Sequence, residues 1–89
     1  MANKYYIIGF QDHEDGEAYA QGKIWTANNL TLSLEKALQL LTYSDHVCIG
    51  KLESISGNIE VNTLTALAPH SLILSAGDDF ELSVNVNKL

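Results

Sequence analysis

The segment TLSLEKALQLLTY, from Thr31 to Tyr43, most constrains the fold because its apolar residues recur at helical spacing. The apolar positions stand at i, i+3, i+4 and i+7, preceded by one residue a turn earlier: Leu34, Ala37, Leu38, Leu41 and Leu30. This spacing predicts an amphipathic helix of roughly three turns. A helix with one wide leucine face needs a flat apolar surface, and short alternating segments on both sides of it can provide a sheet.

Five segments have the alternation or the β-branched and aromatic composition that is typical of strands. They are Lys4 to Phe10, Glu17 to Thr26, His46 to Leu52, Asn58 to Asn62 and Asp79 to Val86. Thr63 to Leu72, TLTALAPHSL, predicts a short second helix that Pro69 makes imperfect. The order favours one α+β domain over residues 1–89, with an antiparallel sheet of four or five strands and two helices on one face.

Local details follow from the same patterns. Alternation places Tyr6, Ile8 and Phe10 on one face of the first strand, and it turns Val47 and Ile49 inward in the third. The small face of the second strand, around Ala18 and Ala20, predicts close packing of a helix. Thr31 or Ser33 is the expected cap of the first helix. Lys4 to Phe10 is expected to cover a sheet edge or a core surface left open, and as an edge strand it would pair with a second copy in a homodimer.

The charge composition limits the classes of partner. The chain has 89 residues, with five basic residues, all of them lysine, 11 acidic residues and a net charge of −6. Arginine is the usual reader of phosphate and guanine, so its absence argues against nucleic-acid binding. No apolar run is long enough for a membrane span and no signal peptide is recognisable, which predicts a cytoplasmic protein. Cys48 lies in an apolar strand and is expected to be a small core residue.

The segment QDHEDGE combines carboxylates, a histidine and a glycine. Its spacing does not match a calcium-binding loop, so a solvated turn is the favoured interpretation and no metal or cofactor is predicted. His13, His46 and His70 show no metal-ligand or nucleophile spacing. Asp78-Asp79 is better explained by a turn than by acid–base catalysis. The sequence therefore predicts a protein that is not an enzyme.

The segment Ile59 to Ser83 resembles the C-terminal half of HPr, the small phosphocarrier of the bacterial sugar phosphotransferase system. Val61-Asn62 and Gly77-Asp78 match its strand end and turn in register, and Thr65 stands at the place of the family's regulatory serine. Leu34 to Val47 resembles the family's first helix and second strand. The resemblance implies an open-faced sandwich over residues 34–83, and it makes Thr65 a possible phosphorylation site.

The departures from this family limit what the resemblance implies. In HPr the phosphorylated histidine precedes the first helix and is followed by Ala-Arg-Pro, whereas this chain has Asn28 to Leu32, NNLTL, at that place. An amide does not carry a phosphoryl group as imidazole does, so phosphocarrier activity is not expected there. The family's last helix is missing and the strand from Lys4 to Phe10 is added. HPr-like proteins without the histidine are regulators that act through protein contacts.

We therefore expect a regulator or inhibitor that binds another protein with a basic surface. The expected contact residues are the acidic turn, two hairpin aromatics and the surface of the second helix: Asp12, His13, Glu14, Asp15, Glu17, Tyr19, Trp25, Thr65 and His70. For Tyr19 or Trp25 taken singly, core packing is the favoured interpretation. Two alternatives are an inhibitor or immunity protein from a mobile element and a phosphocarrier that uses a relocated histidine.

Overall fold

The computed structural model describes residues 4–52, Leu64, Leu67 and 71–76. Within them the fold is α+β, an open antiparallel sheet with a helix packed against it. The elements are β1 (Tyr5–Asp12), β2 (Ala18–Ala27), α1 (Leu30–Leu40), β3 (His46–Lys51) and β4 (Ser71–Ser75). The predicted strands Asn58 to Asn62 and Asp79 to Val86 lie outside the described residues. In the described part of the chain, no helix has both the length and the hydrophobicity that a transmembrane segment requires.

The strand order is β2-β1-β3-β4, and every neighbouring pair is antiparallel. β1 and β2 form the predicted hairpin, with a register irregularity between Ile8 and Phe10. β2 and β3 both pair with β1, so they run in the same direction and need a crossover connection. α1 provides this crossover and packs over β1, β3 and β2.

β1 occupies the centre of the described sheet, so the expectation that it forms an edge is wrong. It pairs with β2 on one side and with β3 on the other, which leaves no edge for a second copy of the chain to pair with. Its residues are apolar on both faces: Tyr5 to Phe10 are all buried. A strand with two apolar faces needs cover on both sides of the sheet, and here the α1 cluster covers one face and the cluster that includes Leu67 covers the other.

One face of the sheet packs against α1. The cluster on this face consists of Tyr5, Ile7, Leu34, Ala37, Leu40, Val47, Ile49, Leu72 and Leu74, with Trp25, Ala27, Leu30 and Leu41 at its margin. The inward orientation of Val47 and Ile49 is confirmed. α1 lies on the Trp25 face of β2, so it is not the helix that packs on the small face around Ala18 and Ala20.

The other face carries a second apolar cluster. It contains Tyr6, Ile8, Phe10, Cys48 and Leu67, and Ala18, Ala20, Leu64 and Ile73 pack against it. The shared face of Tyr6, Ile8 and Phe10 is confirmed. Leu64 and Leu67, the described helical residues of TLTALAPHSL, thus lie across the sheet from α1. The prediction of two helices on one face is therefore wrong.

The last residues of that predicted helix belong to a strand. Ser71 and Leu72 start β4, which pairs with β3 from Gly50↔Ser71 to His46↔Ser75. Leu72 and Leu74 are buried, each 2% exposed, on the α1 face. The alternation in SLILS is too short to identify a strand by itself, and its pairing with the buried strand β3 decides the conformation.

α1 begins one residue earlier than predicted and is capped by Asn29. The Asn29 side chain accepts the Leu32 backbone N–H at 2.8 Å, so neither Thr31 nor Ser33 is the cap. Ser33 is buried and donates its hydroxyl to the Asn29 carbonyl at 2.9 Å. The buried stripe runs through Leu34, Ala37 and Leu40, so Leu38 points outward. Its place in the predicted stripe was wrong because the helix is rotated toward Leu40.

Replacing the two leucines separately tests this rotation. Leu40 is 2% exposed and Leu38 is 43% exposed. Leu40→Ala is expected to lower the free energy of unfolding by about 2–5 kcal/mol through lost burial and a cavity, and Leu38→Ala by about 0.5 kcal/mol or less. Urea denaturation followed by circular dichroism measures both. Equal losses would contradict the observed orientation.

Gly9 leaves room for the segment that follows α1. A Cβ atom at this position would stand 2.6 Å from the Ser44 hydroxyl oxygen. Ser44 is buried and donates that hydroxyl to Gln21 Oε1 at 2.5 Å, so it links the α1–β3 connection to β2. The missing side chain at Gly9 is thus a packing requirement of this hydrogen bond.

Gly9→Ala is expected to lower the free energy of unfolding by about 1–3 kcal/mol because the new methyl group meets the Ser44 hydroxyl. In a Ser44→Ala background the same substitution should cost less, since the hydroxyl is gone and the other near atoms, Gln21 Oε1 and Ser44 Cβ, both lie at 3.4 Å, an ordinary contact distance. A double-mutant cycle of denaturation midpoints measures the coupling. An identical cost in both backgrounds would show that the close contact is not the cause.

Candidate functional site

The acidic turn is an ordered loop at the tip of the β1–β2 hairpin. The His13 N–H donates to the Glu17 carbonyl at 2.9 Å, and the Gly16 N–H donates to the His13 carbonyl at 3.0 Å. Gly16 has φ +84°, a left-handed conformation that favours glycine. These two backbone hydrogen bonds close the loop. We call residues 12–17 the acidic tip.

Asp15 fixes the conformation of the acidic tip through both carboxylate oxygens. Oδ1 accepts the Glu17 backbone N–H at 2.9 Å, and Oδ2 accepts the Tyr19 hydroxyl at 2.6 Å. The Tyr19 ring also meets His13 edge to face, with ring centroids 4.4 Å apart. The hydrogen bond from Tyr19 is the largest cause that lowers the pKa of Asp15, and the bond from the Glu17 amide is the second. The bond between Tyr19 and Asp15 also raises the pKa of Tyr19.

The carboxylates of the acidic tip are largely exposed, although that of Asp15 is bonded within the hairpin and that of Asp12 lies against His46. Asp12, Glu14 and Asp15 are exposed and Glu17 is half-buried. Gln11 to Asp15 line a shallow depression of about 540 Å³. No three His, Cys, Asp or Glu side chains in the described ranges converge as metal ligands. The tip thus presents negative charge on a defined backbone, an arrangement suited to ionic contacts with a cationic surface.

A polar chain behind the acidic tip escaped the sequence analysis. His46 Nε2 lies 2.9 Å from Asp12 Oδ1, and His46 Nδ1 lies 2.8 Å from Ser75 Oγ. These residues are far apart in sequence, and only the pairing of β1, β3 and β4 brings them together. Asp45 adds a further link, because its Oδ2 accepts the Asp12 backbone N–H at 2.9 Å.

Ser75, His46 and Asp12 are the residue types of a hydrolytic triad, but they are hydrogen-bonded in a different order. In Ser-His-Asp hydrolases the serine bonds Nε2 and the aspartate bonds Nδ1. Here the serine is on Nδ1 and the aspartate on Nε2. Both histidine nitrogens are engaged in joining neighbouring strands, so the geometry favours a structural link.

Cys48 is a buried core residue, as predicted. Its Sγ lies 3.0 Å from Ser71 Oγ, which in turn donates to the Leu67 carbonyl at 2.7 Å. Burial raises the pKa of the Cys48 thiol and also raises the pKa of Tyr6, whose hydroxyl is 4.0 Å from Sγ. A buried neutral thiol is a weak nucleophile, so this group serves packing.

The two predicted hairpin aromatics lie in different places. Tyr19 contacts the acidic tip through Asp15 and His13, whereas Trp25 is opposite Ile7 near the other end of β2 and packs at the margin of the α1 cluster. Six residues of strand separate them, which corresponds to about 20 Å. Trp25 is half-buried, and the ammonium groups of Lys23 and Lys36 both lie over its ring, contacts that the sequence did not indicate. Thr65 and His70 lie outside the described residues.

No protein-family model, curated protein or solved structure matches this chain. The resemblance to HPr therefore remains a hypothesis that rests on its short motifs. The packing of Leu67 on the face opposite α1 differs from the one-faced helix layer that the resemblance implies.

Removing the Tyr19 hydroxyl tests the order of the acidic tip. Tyr19→Phe is expected to raise the pKa of Asp15 toward its ordinary value of 3.8, because the largest cause of its lowering is lost. NMR titration of the Asp15 side chain measures the change. An unchanged Asp15 pKa in Tyr19→Phe would contradict the hydrogen bond.

The sign of the accompanying stability change follows from linkage. A carboxyl group whose folded-state pKa is lowered stabilises the fold above its unfolded pKa, and the contribution is lost as pH falls through the folded pKa. The wild-type advantage over Tyr19→Phe should therefore shrink below the ordinary Asp15 pKa of 3.8. At alkaline pH it should shrink again, because the raised pKa of Tyr19 stabilises the fold only while the phenol stays protonated.

Proposed function

We propose that this protein is a non-catalytic binding module that regulates or inhibits another protein by docking its acidic tip on a basic surface. The observation that carries the proposal is the Asp15-centred hydrogen bonding, which orders the tip while Glu14 and Asp12 stay exposed. A loop that is ordered before binding loses less conformational entropy when it docks.

The distribution of charge along the hairpin supports this orientation of docking. The acidic tip and Asp45 lie at one end of the described sheet, where Asp12 pairs with Ala18. Lys4 and Lys51 lie at the other end, next to the pair formed by Tyr5 and Ala27. Such a charge asymmetry steers a basic partner toward the tip and gives an association rate that falls with salt.

The contacts of the reactive side chains favour binding over chemistry. His46 uses both ring nitrogens within the fold, and Cys48 is buried with a raised thiol pKa. His13 lies among carboxylates, which disfavour a phosphoryl group by repulsion. These contacts weigh against His13 or His46 as the relocated histidine of a phosphocarrier. An HPr-like regulator and an inhibitor or immunity protein are both consistent with the proposed mode of binding, and neighbouring genes for sugar uptake or for toxins would distinguish them.

Charge reversal at the acidic tip tests the proposal. Glu14→Lys changes an exposed tip residue that makes no described side-chain hydrogen bond, and Glu35→Lys makes the same change on the exposed side of α1. With a partner captured from native lysate and then purified, Glu14→Lys should weaken binding about fivefold, or about 1 kcal/mol. Glu35→Lys should have little effect. Isothermal titration calorimetry at two salt concentrations measures both.

The salt series separates docking from nonspecific attraction. The difference between the two variants should shrink as salt rises, because exposed charges are screened. Equal weakening by Glu14→Lys and Glu35→Lys would mean that only net charge matters, and it would sink the assignment of the acidic tip as the docking site.

A further inference from the structure

Two ammonium groups from different elements lie over the indole ring of Trp25. Lys23 Nζ of β2 lies 3.9 Å from the centroid of the indole ring, and Lys36 Nζ of α1 lies 3.5 Å from it. The two nitrogens are therefore separated by no more than the sum of these distances. Trp25 is only half-buried, so part of this residue remains accessible to solvent. We call these three residues the Trp25 patch.

Among the described residues, neither lysine of the Trp25 patch forms a salt bridge with a carboxylate. The salt bridge in that part of the chain joins His46 and Asp12. This is notable in a chain with 11 acidic and five basic residues. Glu35 precedes Lys36 directly, but neighbouring helical residues point in different directions and do not face each other. The Trp25 patch is thus a concentration of positive charge within an acidic molecule.

We propose that the Trp25 patch binds a carboxylate-bearing segment of a partner protein. Two ammonium groups held near one ring repel each other, and a carboxylate placed between them relieves that repulsion while accepting hydrogen bonds from both. The accessible part of the indole offers apolar surface to the methylene groups of the same glutamate or aspartate. The site therefore combines charge and apolar complementarity to an acidic side chain.

The same features disfavour a nucleic acid as the ligand. The chain has no arginine, and its net charge of −6 repels a long polyanion. Two lysines neutralise a short acidic segment but not a phosphate backbone. This inference goes beyond the proposed function and does not depend on it, because the Trp25 patch lies about 20 Å along β2 from the acidic tip.

The chain contains a single tryptophan, so the fluorescence of Trp25 reports directly on the site. The probe is an acetylated and amidated tetraglutamate peptide near physiological ionic strength, and the tetraglutamine peptide is the neutral control. We expect a saturable change in Trp25 emission with the acidic peptide only. The dissociation constant, rather than the emission intensity, is compared among variants, since losing a lysine alters the emission itself.

Two pairs of substitutions identify the lysines responsible. Lys23→Gln/Lys36→Gln should weaken binding of the acidic peptide at least about fivefold, or about 1 kcal/mol. Lys4→Gln/Lys51→Gln removes the same charge from residues that make no cation–π contact with Trp25 and should leave the dissociation constant nearly unchanged. Lys23→Arg/Lys36→Arg keeps both charges and should retain binding.

Each other outcome would overturn the inference. No saturable signal with the acidic peptide would mean that the Trp25 patch is not a carboxylate site. If both double glutamine variants bound the acidic peptide equally more weakly than the wild type, net charge alone would explain the binding. Tighter binding of inorganic phosphate or of a single-stranded oligonucleotide than of the peptide would assign the patch to phosphate. Since the acidic tip is unchanged in all variants, failure here leaves the proposed function standing.

Discussion

The burial of β1 on both faces is the constraint on which the rest of the described structure depends. Every residue from Tyr5 to Phe10 is buried, so each face of this strand must be covered by other parts of the chain. α1 covers the face of Tyr5 and Ile7, and the cluster that includes Leu67 covers the face of Tyr6 and Phe10. Its two neighbours, β2 and β3, satisfy its backbone hydrogen bonds.

Polar contacts then fix how the covering elements meet the sheet. Ser44 ties the end of the α1 connection to Gln21 of β2, in the space that Gly9 leaves open. Asp45 continues this link, because its N–H donates to the Phe10 carbonyl at 2.9 Å. His46 then joins Asp12 and Ser75. Three consecutive residues thus connect the helix to three strands, which restricts sliding of the sheet register at this end.

The two proposed binding surfaces both belong to β2 and its flanks. The acidic tip precedes β2, and the Trp25 patch combines its second half with α1. β2 is an outer strand of the described sheet, while β1 and β3 are interior. This division concentrates buried apolar residues in the interior strands, whereas β2 carries exposed Lys23 and half-buried Trp25.

Sequence alone determined the features that depend on neighbouring residues. The hairpin, the acidic turn, the amphipathic helix and the inward residues of β3 follow from alternation, glycine placement and helical spacing, which are properties of short segments. Burial of Cys48 was likewise evident from its apolar strand. The unbroken apolar run of β1 was also compatible with an interior strand, but alternation alone did not reveal that both of its faces need cover.

Only the tertiary structure decided the relations between distant segments. Strand order, the rotation of α1 toward Leu40, the strand at Ser71 to Ser75 and the position of Leu67 opposite α1 depend on which surfaces meet. The contacts of His46 with Asp12 and Ser75, and of Lys36 with Trp25, arise in the same way. Local patterns determine which face of a segment is apolar, whereas long-range packing determines which element covers that face.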